Sequence, residues 1–346
     1  MVRYAIKLYL VIIPVAIIIL TAVGVYFFRD QSRGIVIAWI IYSIIGGVSL
    51  STSLLQSVYQ GLDKVIDIQK NIITGSIFTI LFNCILLWTG FNIWALVLGN
   101  FISLVLMGYL LYKRGRSFWV QLYRHKISYK FNWFKEIVPI QFKYAVSCVS
   151  GYFVFFLYTP VVYKYGGAVL AGQFGLTFTA YNALVSLANS WVDSKLPKFN
   201  ILVSNNHRME LRHLFKKTSV LGCIFFVIGS VGFLLLMAVL NYFSFYNTRF
   251  LSIDIAAIFL LAQVPMLIIN LMAKYLRAHK DEPYFILSAL NGLMIAGAIF
   301  IIYPIFGLLW LSISVNIVYW FIMLPLSIIL FRKYDRIYEE RAKIQG

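Results

Sequence analysis

The chain is short of charge, above all of negative charge. Only 12% of its 346 residues are Asp, Glu, Lys or Arg, and only 12 are acidic. A water-soluble fold of this length would lack the polar surface to cover itself, so a soluble enzyme or binding domain is excluded. Cysteine is equally scarce: Cys84, Cys148 and Cys223 stand far apart in separate apolar runs. No CxxC pair exists, which rules out a disulfide framework and a thiolate metal site. Catalytic signatures are missing as well. There is no GxSxG, HExxH or P-loop, and no GxGxxG in a strand–helix context. His125, His207, His213 and His279 all fall in polar loops without a ligand partner four residues on. Asp63 and Asp67 have helical spacing but sit beside Lys64 and Lys70, which reads as a solvated face; Glu339 and Glu340 read the same way. The expectation is a protein that is not an enzyme and holds no metal or cofactor.

What the chain has is hydrocarbon. The hydrophobic fraction is 61%, against roughly 45–50% in soluble chains, and the mean hydropathy is +0.84. A helix needs about 20 apolar residues to cross a bilayer. Ten such runs are present, near 5–28, 35–59, 71–89, 92–112, 137–160, 167–192, 218–241, 251–274, 283–303 and 305–330. Turns at Thr89-Gly90-Phe91-Asn92 and Tyr303-Pro304 divide longer apolar stretches. The fold class expected is an all-α polytopic membrane protein. The first run has no small-residue cleavage site and reads as a retained span.

The basic residues then orient the chain. With the N-terminus in the cytoplasm, 25 of the 30 Lys and Arg fall on the cytoplasmic side, in the N-terminus, alternate loops and tail. Only Arg29, Arg33, Lys164 and Arg249 fall in the opposite loops, and Lys143 lies within a span. That asymmetry predicts both termini inside. The longest polar stretch, in 113–136, separates four spans from six. The expected organisation is an N-terminal lobe at 1–112, a basic interfacial linker at 113–136, a six-helix lobe at 137–331 and a basic tail at 332–346. The linker interleaves aromatics with its charges, as ordinary anchored interfacial loops do.

Polar residues also occur where lipid is expected. Span six carries Gly175, Thr179, Asn182, Ser186, Asn189 and Asp193 at alternating spacings of four and three, one helical face. Span five carries Lys143, Ser147, Ser150 and Gly151 on one face, with Gln141 nearby; span eight carries Gln263, Asn270 and Lys274. Singly, such groups are helix glue worth about 0.6 kcal/mol each. Together they suggest a hydrophilic path. Lys143, Gln141, Ser147, Asn182, Ser186, Asn189, Gln263 and Asn270 are the candidate substrate-binding residues. Lys143 has two readings: a cation facing a cavity, or a side chain snorkelling to the nearby interface. Asp193 and Asp254 are the acids closest to spans, so a cavity would be neutral to cationic. Pro14, Pro265 and Pro325 are candidate bending points.

The segment PIQFKYAVSCVSGYFVFFLYTPVVYKYGG, the following AGQFGLTFTAYNAL and the exit NSWVDSKLPKF resemble spans of bacterial lipid-linked oligosaccharide flippases. These are the Wzx-like O-antigen transporters of the MATE-like (MOP) exporter superfamily. The motifs YxxGGAxxAGQFG and SWxxSKxPKF, over about 60 residues, carry the resemblance. It implies two helical lobes flanking a cavity and alternating access in the bacterial inner membrane. The first two spans of the twelve-span pattern would be absent. The implied cargo is an undecaprenyl-diphosphate-linked glycan moved from the cytoplasmic to the periplasmic leaflet. Lys143 would meet the diphosphate, and the amides and hydroxyls of span six would meet the sugars. No cofactor is implied, transport being driven by an ion gradient or the membrane potential. Membrane lipids, a polysaccharide polymerase and chain-length proteins are the implied partners, and nucleic acid is not. Alternatives are a non-transporting remnant, a multidrug or cation antiporter of the same superfamily, and an integral-membrane polymerase or ligase.

Overall fold

A computed structural model of the chain describes residues 2–28, 32–61, 65–124, 138–242 and 249–345. Every regular element among them is helical. Eight continuous helical stretches are long and apolar enough to cross a membrane, so the protein is an all-α multi-pass membrane protein. The chain divides into two compact units, residues 1–131 and 132–346. The first half of the expected linker, 113–124, is helical, and the second half, 125–136, lies outside the described residues.

The first unit holds α1 (Val2–Phe28), α2 (Arg33–Gly61), α3 (Val65–Trp88) and α4 (Ile93–Arg124). The turn between α3 and α4 falls at the expected place, with Gly90 at φ 84° and Asn92 at φ 46°. Polar side chains also tie these helices together. The Trp39 indole donates to the Leu20 carbonyl at 3.0 Å, and the Tyr59 hydroxyl to the Leu111 carbonyl at 3.0 Å.

The second unit holds α5 (Val138–Phe155), α6 (Tyr158–Asp193), the short α7 (Leu196–Ser204), α8 (Arg208–Tyr242), α9 (Ile253–Arg277), α10 (Phe285–Gly297), α11 (Tyr303–Ile317) and α12 (Leu324–Gln345). Its two longest helical stretches cover 64 and 56 residues. At 1.5 Å per residue these would reach roughly 95 and 85 Å if straight, about three bilayer cores. Each instead folds back at a glycine. Gly167 has φ 82° and ψ 176°, and Gly307 has φ 79° and ψ −171°. This corner of backbone space is essentially closed to residues with a Cβ. Across Gly167, Tyr158 stacks on Phe174 at 5.4 Å. Across Gly307, Asn291 Nδ2 donates to Tyr319 Oη at 3.2 Å and Tyr284 Oη to the Ser327 carbonyl at 2.6 Å. The arms are therefore antiparallel, and the described residues of the unit form six of them. The second reversal falls at Gly307, past the Tyr303-Pro304 signal. Helical residues run directly into Pro304, which lies three residues before the reversal. The two reversals adjoin, with the rings of Tyr165 and Tyr303 edge to face at 6.4 Å.

The core of this unit gathers around α9, which carries buried residues through its length. Pro265 removes one helical N–H, which leaves the carbonyl four residues back without its usual donor. That is Leu261, and the Trp320 indole N–H reaches it at 3.3 Å. Between α11 and α12 lies a π-helical segment, Val318–Met323. Such wide turns recur where a helix wall is shaped for function.

Candidate functional site

A cavity of about 380 Å³ lies inside the second unit, among α5, α9, α10, the π segment and the start of α12. Each helix presents one face to it. α5 gives Tyr144, Ser147, Cys148, Gly151 and Val154; α9 gives Met266, Asn270, Ala273 and Arg277; α10 gives Leu287, Ser288 and Asn291. These are the three- and four-residue spacings of a single helical side. The π segment adds Tyr319 and Met323, and α12 adds Ser327. The volume is that of a small-molecule site, and the lining is apolar with a few convergent polar groups.

Two of those polar groups lack partners. Ser327 is fully buried, and its hydroxyl meets no hydrogen-bonding atom among the described residues. The Asn291 carbonyl oxygen is likewise unmet, although its amide nitrogen donates to Tyr319. A buried polar atom left this way costs about 1–3 kcal/mol. Both oxygens belong to residues that border the cavity.

One end of the cavity is closed by charge. Arg277, in the last turn of α9, holds Glu282 through two bonds, Nε to Oε2 at 2.5 Å and Nη2 to Oε1 at 2.8 Å. Glu282 is 1% exposed, a burial only a bridged carboxylate tolerates. It also accepts from the Ser147 hydroxyl of α5 at 3.3 Å. Its neighbour Asp281 receives Lys143 Nζ from α5 at 3.0 Å and the Tyr338 hydroxyl of α12 at 3.5 Å. The loop between α9 and α10 reaches this arrangement with Lys280 in the left-handed region, φ 59°. Just before it, His279 stacks on Tyr338 at 4.3 Å, and burial pushes its imidazole below the ordinary value.

The eight candidate residues are dispersed by the fold. Ser147 and Asn270 line the cavity. Lys143 lies one turn before Ser147 but is spent on Asp281, outside the lining. Gln141 is exposed at the start of α5, and Asn182 and Ser186 are exposed on α6. Asn189 is buried; it donates to the Val185 carbonyl at 2.9 Å and accepts from Lys274 Nζ at 2.8 Å. Lys274 also pairs with Asp193 at 2.6 Å, so the far end of the span-six stripe fastens α6 to α9. Gln263 is buried in α9 and does not line the cavity.

The charged residue that does line it, Arg277, was absent from the candidates because it reads as a loop cation. Its spacing held the signal: it falls seven residues after Asn270, on the same helical face. Tyr144, Tyr319 and Ser327 carried no such mark, since a lone Tyr or Ser in an apolar run is ordinary helix packing. Among the described residues no group of three His, Cys, Asp or Glu is placed to hold a metal ion. No family model, curated protein or solved structure matches the chain.

Proposed function

We propose that the protein is a transporter that flips a polyprenyl-diphosphate-linked oligosaccharide from the cytoplasmic to the external leaflet of a bacterial inner membrane, with both termini cytoplasmic. The observation that carries the reading is the cavity inside an apolar helix bundle, whose largely apolar lining includes two amides, several hydroxyls and one guanidinium. A hydrated, anionic headgroup cannot cross hydrocarbon unaided. Hydrogen-bonding groups within the bundle replace part of its water, and the lipid tail stays in the bilayer. The excess of Lys and Arg in one set of loops supports the direction, because it draws an anionic headgroup to that face. The motif resemblance over residues 139–199 supports the cargo class.

A cation antiporter reading has less behind it. It calls for an uncompensated buried carboxylate, and Glu282, the buried acid among the described residues, is bridged by Arg277. The test of the cavity's part is to fill it. Ser288→Trp is expected to stop the clearance of lipid-linked repeat units in the host, with Ser288→Ala leaving clearance intact. Full clearance by the tryptophan variant, at equal membrane abundance, would remove the cavity from the transport path.

A further inference from the structure

The cavity divides the second unit in an uneven way. On one side α5 packs along α10, close enough that a Cβ on Gly292 would meet the Ser150 backbone at 3.2 Å. On the other side α9 packs on α11, α12 and the π segment. The paired helices α5 and α10 thus form one wall, and the α9 group forms the opposite wall. At the charged end, two adjacent residues of the α9–α10 loop join the walls. Glu282 bridges Ser147 of α5 to Arg277 of α9, and Asp281 bridges Lys143 of α5 to Tyr338 of α12. Further along, the links across are uncharged: Asn291 to Tyr319, and Tyr284 to the Ser327 carbonyl.

We propose that Asp281 and Glu282 form an ionic latch that holds the α5–α10 wall closed over this cavity, and that release of the latch opens the cavity at that end. The proposal rests on the cavity being a ligand-accessible site, as the transport reading has it, and adds how access is controlled. The physical case is that a wall packed by apolar interdigitation has no cheap open state, whereas one held at this end by an ion pair and a few hydrogen bonds to carboxylates does. The Lys143 and Asp281 side chains are 35% and 27% exposed, so solvent already reaches this pair. An anionic group arriving at the same end competes with the two carboxylates for Lys143 and Arg277.

The experiment reads accessibility and not transport. The full chain, with Cys84, Cys148 and Cys223 each replaced by Ser and Ser327→Cys as reporter, is placed in nanodiscs that leave both faces open. The labelling rate by a small cationic methanethiosulfonate is then measured. Asp281→Asn with Lys143→Met is expected to raise the rate by about three- to fivefold, in keeping with the modest worth of a partly exposed pair. The exchange Lys143→Asp with Asp281→Lys is expected to bring it back within about twofold of the starting chain. Both sets leave the Arg277–Glu282 bridge in place, which guards against misfolding, and the exchange serves as the folding control. An unchanged rate in the neutralised variant would overturn the latch. So would a rate in the exchanged variant as high as in the neutralised one. Either result leaves the transport reading standing, whereas lost transport function with latch-dependent labelling would overturn that reading alone.

Discussion

Lys143 Nζ stands 3.0 Å from Asp281 Oδ1, a bond between residues 138 positions apart in the chain. It turns a lysine inside an apolar run into a fastener between α5 and the loop that follows α9. Because both side chains are about a third exposed, screening keeps the pair's worth modest. A double-mutant cycle of Lys143→Met and Asp281→Asn should return a coupling of about 0.5–1 kcal/mol, read by unfolding in detergent. Lys143→Arg should keep most of it.

Lys274 should matter more. Its side chain is 17% exposed and it bonds both Asp193 and Asn189. Lys274→Met removes two charge-assisted bonds between α6 and α9, and a loss of about 1–3 kcal/mol is expected. The same unfolding assay should rank it clearly below Lys143→Met in stability. Equal losses would mean that the α6–α9 fastening carries no special weight.

Gly307 turns the chain in a conformation that other residues adopt only under strain. Gly307→Ala should cost about 1–3 kcal/mol. Gly297 provides the control, since it lies in α10 with open space around its Cβ position. Gly297→Ala should be neutral or slightly stabilising in the same unfolding assay.

These positions also show how far the sequence alone reaches. Hydropathy places the spans well, because twenty apolar residues in a row admit few other structures. The four helices of the first unit and the six arms of the second follow the apolar runs closely. The reversal at Gly307 is less legible. Tyr303-Pro304 is the stronger local turn signal, yet the helix runs on through the proline, and the glycine that accepts φ 79° does the turning. The site is less legible still. A polar stripe says which face of α6 is special, but not that Asn189 would be buried against Lys274 while Asn182 and Ser186 stay exposed. Asp281 and Glu282 read as loop charges. Their partners Lys143 and Ser147 lie more than 130 residues away, a pairing that no local spacing encodes.

His279 gives the account a pH dependence. It lies in the loop after α9, stacked on Tyr338, with Nδ1 3.2 Å from the Tyr275 carbonyl. Burial lowers its affinity for a proton, the Tyr275 carbonyl opposes this, nearby Arg208 adds to the lowering and Asp335 opposes it. The folded imidazole therefore takes up its proton at lower pH than the unfolded one. The unfolded state binds more protons in that window, so stability rises with pH through it. As pH falls below the ordinary value of 6.5, stability should be lost progressively until the folded imidazole is itself protonated. Melting curves between pH 7.5 and 5.5 should show that loss, and His279→Asn should flatten it.

The central claim is transport of a lipid-linked glycan, and the host's own lipids test it most directly. The gene is deleted, and undecaprenyl-diphosphate-linked repeat units are extracted and quantified with this chain restored or withheld. The account expects the intermediate to build up on deletion and to clear on restoration. A deletion strain in which no such intermediate accumulates would contradict it.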